Sequence, residues 1–137
     1  MNRRQFTILA GASALVPVWA QAKTTNYSPG LVDQELAAGK TVFLDFRADW
    51  CSTCASQERT IEKLMSENPD YAANVSFINV DWDQFRSAEL TKRLKIPRRS
   101  TLVVLKGDKE LGRIVAGVSK KDIKALMDTA LAAAQSA

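Results

Sequence analysis

The hydrophobic pattern of the chain contains several short β-prone runs. Residues 41–46 form an almost continuous apolar stretch with β-branched and aromatic side chains, which is typical of a strand buried on both faces. Residues 75–80 and 101–105 predict two more strands, and a turn at 106–109 leads into residues 110–116, which predict the second strand of a hairpin. The pattern therefore predicts a sheet with the strand at 41–46 in its centre.

The segments between these strands are predicted to be helices. We expect a short helix at 31–38, ended by Gly39, a long helix from the cysteines to about residue 67, and another helix at 86–95. Ser119 predicts the N-cap of a last helix with strongly periodic apolar positions. The order of elements predicts an α/β fold in which parallel strands come first and an antiparallel hairpin ends the sheet. The apolar face of the last helix comprises Ile123, Leu126, Met127, Ala130, Leu131 and Ala134.

Residues 1–22 have the composition of a cleavable signal peptide. Arg3 and Arg4 form a positive start, an apolar stretch interrupted by Gly and Pro follows, and residues 20–22 read Ala-Gln-Ala, a small-residue cleavage site. We therefore expect the mature chain to begin at Lys23 and to form one domain over residues 23–137. A membrane anchor is the alternative, which the short and Gly- and Pro-containing stretch disfavours.

The start of this segment also predicts an export route. Residues 2–7, Asn-Arg-Arg-Gln-Phe-Thr, resemble the twin-arginine export signal, in which paired arginines precede a phenylalanine and a mildly apolar segment. Asn replaces the usual Ser or Thr before the arginines, and no Leu-Lys follows the phenylalanine, so Sec export stays an alternative. Both routes lead to the bacterial periplasm, which is an oxidising compartment.

Composition and charge indicate one domain with a real core. The chain has 137 residues, 46% of them hydrophobic. Its formal charge is +4, and without Arg3 and Arg4 there are 17 Lys and Arg against 15 Asp and Glu, so nucleic-acid binding is not expected. The one local excess of positive charge is the cluster Lys92, Arg93, Lys95, Arg98 and Arg99.

Cys51 and Cys54 are the two cysteines of the chain, and they follow the central strand directly. Two thiols separated by two residues at the start of a helix are placed to form an exchangeable disulfide. A structural zinc site is a weaker interpretation, because zinc usually takes four Cys or His ligands and this sequence has two cysteines and no histidine. An inert structural disulfide is a third interpretation. The spacing favours thiol-disulfide exchange.

Position in the helix predicts a different role for each cysteine. Cys51 would occupy an exposed first turn, where unpaired N–H groups and the helix dipole stabilise a thiolate, so we expect it to be the nucleophile. Cys54 lies one turn further on and is expected to resolve the mixed disulfide. The hydroxyls of Ser52 and Thr53 are further candidates for donating to the Cys51 thiolate.

The segment Leu-Asp-Phe-Arg-Ala-Asp-Trp-Cys-Ser-Thr-Cys at 44–54, together with the order of elements, resembles the thioredoxin family over residues 31–134. Its Ala-Asp-Trp-Cys sequence is especially similar to that of the periplasmic reducing domain of the disulfide-interchange membrane reductases. The resemblance implies a thioredoxin-like three-layer α/β/α sandwich with a mixed central sheet. The resemblance identifies a superfamily but does not identify a substrate.

The resemblance implies that Asp45 is a buried acid that takes and returns the proton of the resolving cysteine. Burial of a carboxylate on a strand raises its pKa toward the range of a useful base. Phe77 stands where the family often has a lysine that tunes this acid. Arg47 replaces an aromatic residue and is expected either to pair with Asp81 or to extend into solvent. Asp45 could also be only a structural residue satisfied by backbone donors.

The resemblance further implies that Trp50, Arg99, Ser100 and Thr101 contact the substrate, although core packing is an alternative for Trp50. Ser100 aligns with the family's cis-proline, while an alignment through Pro97 would need an inserted segment before the strand. On the first alignment we expect a cis Arg99-Ser100 peptide and, because serine has no ring, a more open approach to the cysteines.

On that alignment Arg98 and Arg99 lie beside the redox site. Their charge would lower the pKa of the Cys51 thiol and favour acidic partners.

These observations together predict a monomeric periplasmic thiol-disulfide oxidoreductase. We expect it to reduce protein disulfides without a cofactor and to receive electrons from a membrane donor. Two alternatives remain at the level of sequence. One is a protein that binds or delivers Cu(I) or a cluster through Cys51 and Cys54, and the other is a redox-inactive assembly factor.

Overall fold

A computed structural model describes residues 24–136, and the signal peptide predicted at residues 1–22 lies outside this range. Within residues 24–136, no helix combines the length and apolar character needed to cross a membrane. The strands are β1 (Thr25–Asn26), β2 (Thr41–Arg47), β3 (Val75–Asp81), β4 (Thr101–Lys106) and β5 (Lys109–Val115). The helices are α1 (Leu31–Ala37), α2 (Ser52–Glu67), α3 (Asp70–Asn74), α4 (Trp82–Phe85), α5 (Glu89–Arg93) and α6 (Lys120–Gln135).

The strands form a single mixed sheet in the order β1-β3-β2-β4-β5. β1, β3 and β2 are parallel, whereas β4 is antiparallel to β2 and β5 is antiparallel to β4. Helices cover both faces, so the protein is a three-layer α/β/α sandwich, as predicted. β2 is the central strand, also as predicted, because its apolar side chains can be buried on both faces only between two strands and two helical layers.

Alternate residues of β2 face opposite helical layers. Phe43 belongs to the apolar cluster that β2, β3 and β4 form with α2, α3 and α6, whereas Val42 and Leu44 belong to the cluster on the other face, under α1 and α5. Because side chains alternate along a strand, Asp45 shares the face of Phe43. The sheet therefore presents this carboxyl toward the layer that contains α2, whose N-terminus carries the cysteines.

The caps predicted for α1 and α6 are confirmed. The hydroxyl of Ser119 accepts a hydrogen bond from the backbone N–H of Asp122 at 3.2 Å, which satisfies one free donor of the first turn of α6. After α1, Gly39 adopts a φ of 84°, a conformation that glycine takes without strain. The long helix predicted from the cysteines to about residue 67 is α2.

The helix predicted at 86–95 is wrong in extent. The segment begins at Arg86, the C-cap of the short helix α4, and contains one short helix, α5, which starts only at Glu89 because Ala88 is extended, with a ψ of 159°, and acts as its N-cap. The carboxylate of Asp81 accepts from the N–H of Asp83 at 3.0 Å and starts α4 earlier than the apolar spacing indicates. The sequence pattern also missed β1 and α3, which are only two and five residues long.

Candidate active site

The cysteine pair lies at the N-terminus of α2, directly after the carboxyl end of β2. Cys51 is the N-cap residue, and its sulfur accepts a hydrogen bond from the backbone N–H of Cys54 at 3.1 Å. The two residues are joined by a disulfide, and their Cα atoms are 5.2 Å apart. The predicted position of the pair at a strand-to-helix junction is therefore confirmed, and the helix N-terminus aims a donor at the Cys51 sulfur.

Both cysteines are buried, which differs from the exposed first turn expected from the sequence. Cys51 is 3% exposed and Cys54 is fully buried. They form a small apolar cluster with Ala48, and Trp82 of α4 packs against it. The sequence pattern carried no sign of this contact, because Trp82 was not recognised as part of a helix.

Ser100 lies against the disulfide. Its hydroxyl oxygen is 3.2 Å from the sulfur of Cys51 and 3.2 Å from the sulfur of Cys54. This contact agrees with the alignment that places Ser100, and not Pro97, opposite the cysteines. Ser100 is fully buried, so the more open approach expected from the missing proline ring is wrong.

The Arg99-Ser100 peptide is trans, so the expected cis bond is wrong. Ser100 instead adopts a φ of 65° in the left-handed region, which residues other than glycine rarely occupy. Its N–H donates to the carbonyl of Phe46 at 2.7 Å, and its carbonyl accepts from the N–H of Ala116 at 2.8 Å. These bonds connect the loop to the end of the central strand and to the segment after β5, and they hold the unusual conformation.

Gln57 is a part of the site that the sequence did not reveal. It is fully buried one turn beyond Cys54, and its side-chain amide donates to the carbonyl of Ser100 at 3.0 Å and to that of Gly117 at 2.9 Å. Gln57 thereby links α2 to two separate loops. A glutamine within an amphipathic helix normally indicates a solvated position, so no sequence signal distinguished this one.

Asp45 is buried on the face of β2 that points toward α2, and it is 5% exposed. Burial raises the pKa of its carboxyl from 3.8 to about 7, with Arg47 lowering the pKa and Glu58 raising it by smaller amounts. One of its oxygens, Oδ1, has no hydrogen-bond partner among the described residues. The sequence-based expectation of an acid tuned mainly by desolvation agrees with this environment.

A small cavity lies beside Asp45. Its volume is about 30 Å³, which is enough for a water molecule. Phe77 lines it and packs against Phe43, with ring centroids 5.0 Å apart, so no cation reaches Asp45 from that position. The full lining is Thr24, Phe43, Asp45, Glu58, Ile61, Glu62, Phe77, Ile78 and Asn79.

Arg47 takes neither of its two expected positions. Its guanidinium pairs with Glu58 at 3.5 Å and with Asp49 at 3.2 Å, and not with Asp81. The carboxylate of Asp81 instead caps α4. Because Arg47 and Asp45 are two residues apart on one strand, they share a face, and Glu58 of α2 pairs with Arg47 and lines the same cavity as Asp45. An ion pair therefore adjoins the buried acid.

The exposed Trp50 and the half-buried Arg99 form the rim of the site. Trp50 is 61% exposed, and its indole N–H donates to a carboxylate oxygen of Asp83 at 2.9 Å. The guanidinium of Arg99 lies over the indole ring, 4.6 Å from its centroid. The expectation that Trp50 lies at the surface is thus confirmed, and one arginine of the basic cluster reaches the same rim.

The other residues expected to contact substrate lie beneath this rim. Ser100 and Thr101 are fully buried, and the hydroxyl of Thr101 donates to the carbonyl of Arg98 at 2.6 Å. Their predicted contact with substrate stays a prediction. Neither Ser52 nor Thr53 donates to a cysteine sulfur among the described residues, where the donors to the Cys51 sulfur are the N–H of Cys54 and the hydroxyl of Ser100.

The metal alternative receives no additional ligand from the described part of the chain. Within residues 24–136, no group of three or more His, Cys, Asp or Glu side chains is arranged to hold an ion. Cys51 and Cys54 remain the two residues that this alternative would use.

A disulfide at the N-terminus of a helix, directly after the central strand of a mixed sheet and backed by a buried carboxyl, defines a thiol-disulfide oxidoreductase. The thioredoxin family profile matches residues 19–129. The chain belongs to the thioredoxin family.

Relatives and solved structures agree with this assignment. Thioredoxin H2-1 of Oryza sativa subsp. japonica is 31% identical over 119 residues, covering 87% of this chain and 78% of the relative. Thioredoxin-1 of Drosophila melanogaster is 31% identical over 93 residues, covering 68% of this chain and 81% of the relative. The crystal structure of Trxlp from Edwardsiella tarda EIB202 is 26% identical, with a TM-score of 0.65 over 76% of this chain and 98% of that one.

A more distant structure supports the fold alone. Malassezia sympodialis thioredoxin (Mala s 13) is 22% identical, with a TM-score of 0.68 over 88% of this chain and 99% of that one.

Proposed function

We propose that this protein reduces protein disulfides in the periplasm and that a membrane electron donor then reduces its own disulfide again. The observation that carries thiol-disulfide exchange is the buried Asp45, whose pKa of about 7 suits a group that accepts and returns a proton near neutral pH. The reducing direction rests on the resemblance to the reducing domain of the membrane reductases. The family assignment supports exchange with protein disulfides as the reaction.

In the proposed reaction, the thiolate of reduced Cys51 attacks a substrate disulfide, whose S–S bond breaks as a new one forms to Cys51. The released substrate thiolate takes a proton from water. The sulfur of Cys54 then attacks Cys51, its proton passes to Asp45, and the second substrate sulfur leaves as a thiolate. The substrate gains two electrons, and the Cys51–Cys54 disulfide seen in the structure is the product state.

The exposed rim supports a preference for acidic substrates. Arg99 places a positive charge over Trp50, and the indole offers an apolar surface beside the buried cysteines. In Arg99→Gln, reduction of an acidic peptide disulfide should slow severalfold more than reduction of a neutral peptide at low salt, because any change in the Cys51 thiolate affects both peptides alike. Lys109→Gln is the matched control, because Lys109 lies at the opposite end of the sheet. Equal slowing with both peptides would contradict the charge preference.

Insulin reduction and the reduction potential test the redox direction. We expect the purified protein to reduce insulin and to have a potential near that of thioredoxin, about −270 mV. A potential near that of a strong oxidase, about −120 mV, would overturn the reductase proposal. Cys51→Ser should abolish exchange, and Cys54→Ser should accumulate mixed disulfides through Cys51.

The proposed location rests on residues 1–22 of the sequence. Arg3 and Arg4 support the twin-arginine route, and Ala20-Gln21-Ala22 supports cleavage before Lys23. Fractionation of bacteria that express the full chain should recover a periplasmic protein that begins at Lys23. Replacement of both arginines by lysine should block export, and unchanged export would indicate the Sec route. A cytoplasmic, uncleaved protein would contradict the proposal.

A further inference from the structure

The hydroxyl of Ser100 occupies a bridging position between the two reactive sulfurs. Its oxygen is 3.2 Å from each of them, and the side chain is fully buried. In the disulfide neither sulfur carries a hydrogen, so the hydroxyl is the donor and can donate to one of the two sulfurs at a time. A serine hydroxyl has one hydrogen to donate and two lone pairs that accept. It can therefore donate to one sulfur and accept from the other once the disulfide is reduced.

We propose that Ser100 is a catalytic residue whose hydroxyl donates to the Cys51 thiolate and accepts from the Cys54 thiol in the reduced protein. This arrangement places the negative charge on Cys51, the attacking sulfur, and keeps the proton on Cys54, the resolving sulfur. No bond is made or broken by Ser100, since it only distributes the charge and proton of the reduced pair. The inference rests on exchange through Cys51 and Cys54.

Burial makes this hydrogen bond effective. Water is excluded from Ser100, so no solvent donor competes for the sulfurs from its side. A hydrogen bond to an ionised group is stronger than one between neutral groups, so the hydroxyl favours the thiolate form of Cys51 over the disulfide. The helix contributes a second donor to the same sulfur, the N–H of Cys54 at 3.1 Å.

The backbone is held so that the hydroxyl reaches the sulfurs. Ser100 has a φ of 65°, which is strained for any residue with a Cβ. Its N–H donates to Phe46, and its carbonyl accepts from Ala116 and Gln57, and these bonds hold it there. Strained conformations of this kind persist where the surrounding structure determines them, and they are frequent at active sites.

The test compares the thiolate of Cys51 in the wild type with Ser100→Ala and Ser100→Gly. Both variants lack the hydroxyl, and glycine also adopts a φ of 65° without strain, so one of them should fold even if the other does not. Ultraviolet thiolate absorbance against pH should show the Cys51 pKa raised by about one unit in both. The equilibrium with glutathione should shift about tenfold toward the oxidised protein, or about 30 mV.

Ser66→Ala is the matched control, because Ser66 is exposed and its hydroxyl donates only to Lys63 within α2. It should leave the Cys51 pKa and the potential unchanged. An unchanged Cys51 pKa in folded Ser100→Ala and Ser100→Gly would overturn the proposal. An equal rise in Ser52→Ala would also overturn it, because the relevant hydroxyl would then be the one in the first turn of α2.

These readouts need no protein substrate, so they separate this inference from the proposed function. If the wild type fails to reduce insulin and the Ser100 variants still raise the Cys51 pKa, reduction of protein disulfides is wrong and the role of Ser100 stands. If the wild type reduces insulin and the variants leave the pKa unchanged, the role of Ser100 is wrong and the proposed function stands.

Discussion

The side-chain amide of Gln57 donates to the carbonyl oxygen of Ser100 at 3.0 Å, which ties the helix that carries the cysteines to the loop that touches their sulfurs. The same amide donates to Gly117, so one buried side chain fixes two loops. Apart from Gln57, the Ser100 carbonyl receives the N–H of Ala116. We therefore expect Gln57 to be a positioning residue, which holds Ser100 against the cysteines.

Replacing Gln57 by methionine should destabilise the protein and disturb the redox pair. Methionine has a similar length but no donor, so the Gly117 carbonyl loses the Gln57 amide and the Ser100 carbonyl keeps only the N–H of Ala116, which together cost about 1 to 3 kcal/mol. Urea unfolding should show this loss, and the Cys51 pKa should rise as Ser100 becomes less well held. Gln34→Met is the control, because Gln34 is exposed on α1 and should change stability by less than about 0.5 kcal/mol. Loss of stability with an unchanged Cys51 pKa would show a purely structural role.

Replacing Asp45 by asparagine should stabilise the protein at alkaline pH. The folded state keeps the Asp45 proton up to about pH 7, whereas an unfolded aspartate releases it near 3.8. The unfolded state therefore binds fewer protons between these values, and the free energy of unfolding falls as pH rises through them. Three units at about 1.4 kcal/mol each give an upper limit of about 4 kcal/mol for this fall.

Urea unfolding at about pH 5 and about pH 8 measures the effect. The wild type should lose stability between these values relative to Asp45→Asn, and the advantage of the variant should be greatest at the higher pH. Asp108→Asn, in the exposed turn between β4 and β5, should keep the wild-type pH profile. Parallel profiles for the wild type and Asp45→Asn would mean that Asp45 ionises normally in the folded protein. Slower resolution of mixed disulfides in Asp45→Asn should accompany the change if Asp45 accepts the Cys54 proton.

Arg47 and Glu58 should tune the Asp45 pKa in opposite directions. Arg47 lowers it and Glu58 raises it, and the two side chains form an ion pair at 3.5 Å. Arg47→Met should therefore raise the Asp45 pKa and Glu58→Gln should lower it, each by on the order of one unit at most. Side-chain carboxyl NMR over a pH titration measures both shifts. Asp45 pKa shifts of the same sign in the two variants would contradict the opposite effects assigned to Arg47 and Glu58.

The strand and cysteine positions followed from the sequence because they depend on local patterns. A continuous apolar run predicts a buried central strand, and the C-x-x-C spacing after it places Cys51 and Cys54 at a helix N-terminus. The burial of Asp45 follows from the same run, since a residue within a doubly covered strand has no route to solvent.

The remaining features depend on contacts between distant segments. The φ of Ser100 is determined by bonds to Phe46 and Ala116, and no residue near Ser100 in the sequence indicates it. The partner of Arg47 depends on which turn of α2 faces the strand, and Glu58 was not recognised for this reason. Trp82 reached the cysteines because the Asp81 cap starts α4 directly after β3, a boundary that apolar spacing alone does not mark.

Replacing Ser100 by proline should destabilise this protein, although the alignment with the family's proline suggests the opposite. Proline fixes φ near −65°, whereas Ser100 has a φ of 65°, and proline lacks the N–H that Ser100 donates to Phe46 at 2.7 Å. The free energy of unfolding should therefore fall by more than about 1 kcal/mol, as measured in urea. Ser100→Gly is the matched variant, because it keeps the N–H and accepts the positive φ, and it should be at least as stable as Ser100→Ala. A proline variant as stable as the wild type would show that the loop can adopt a second conformation in which neither the positive φ nor the bond to Phe46 is required.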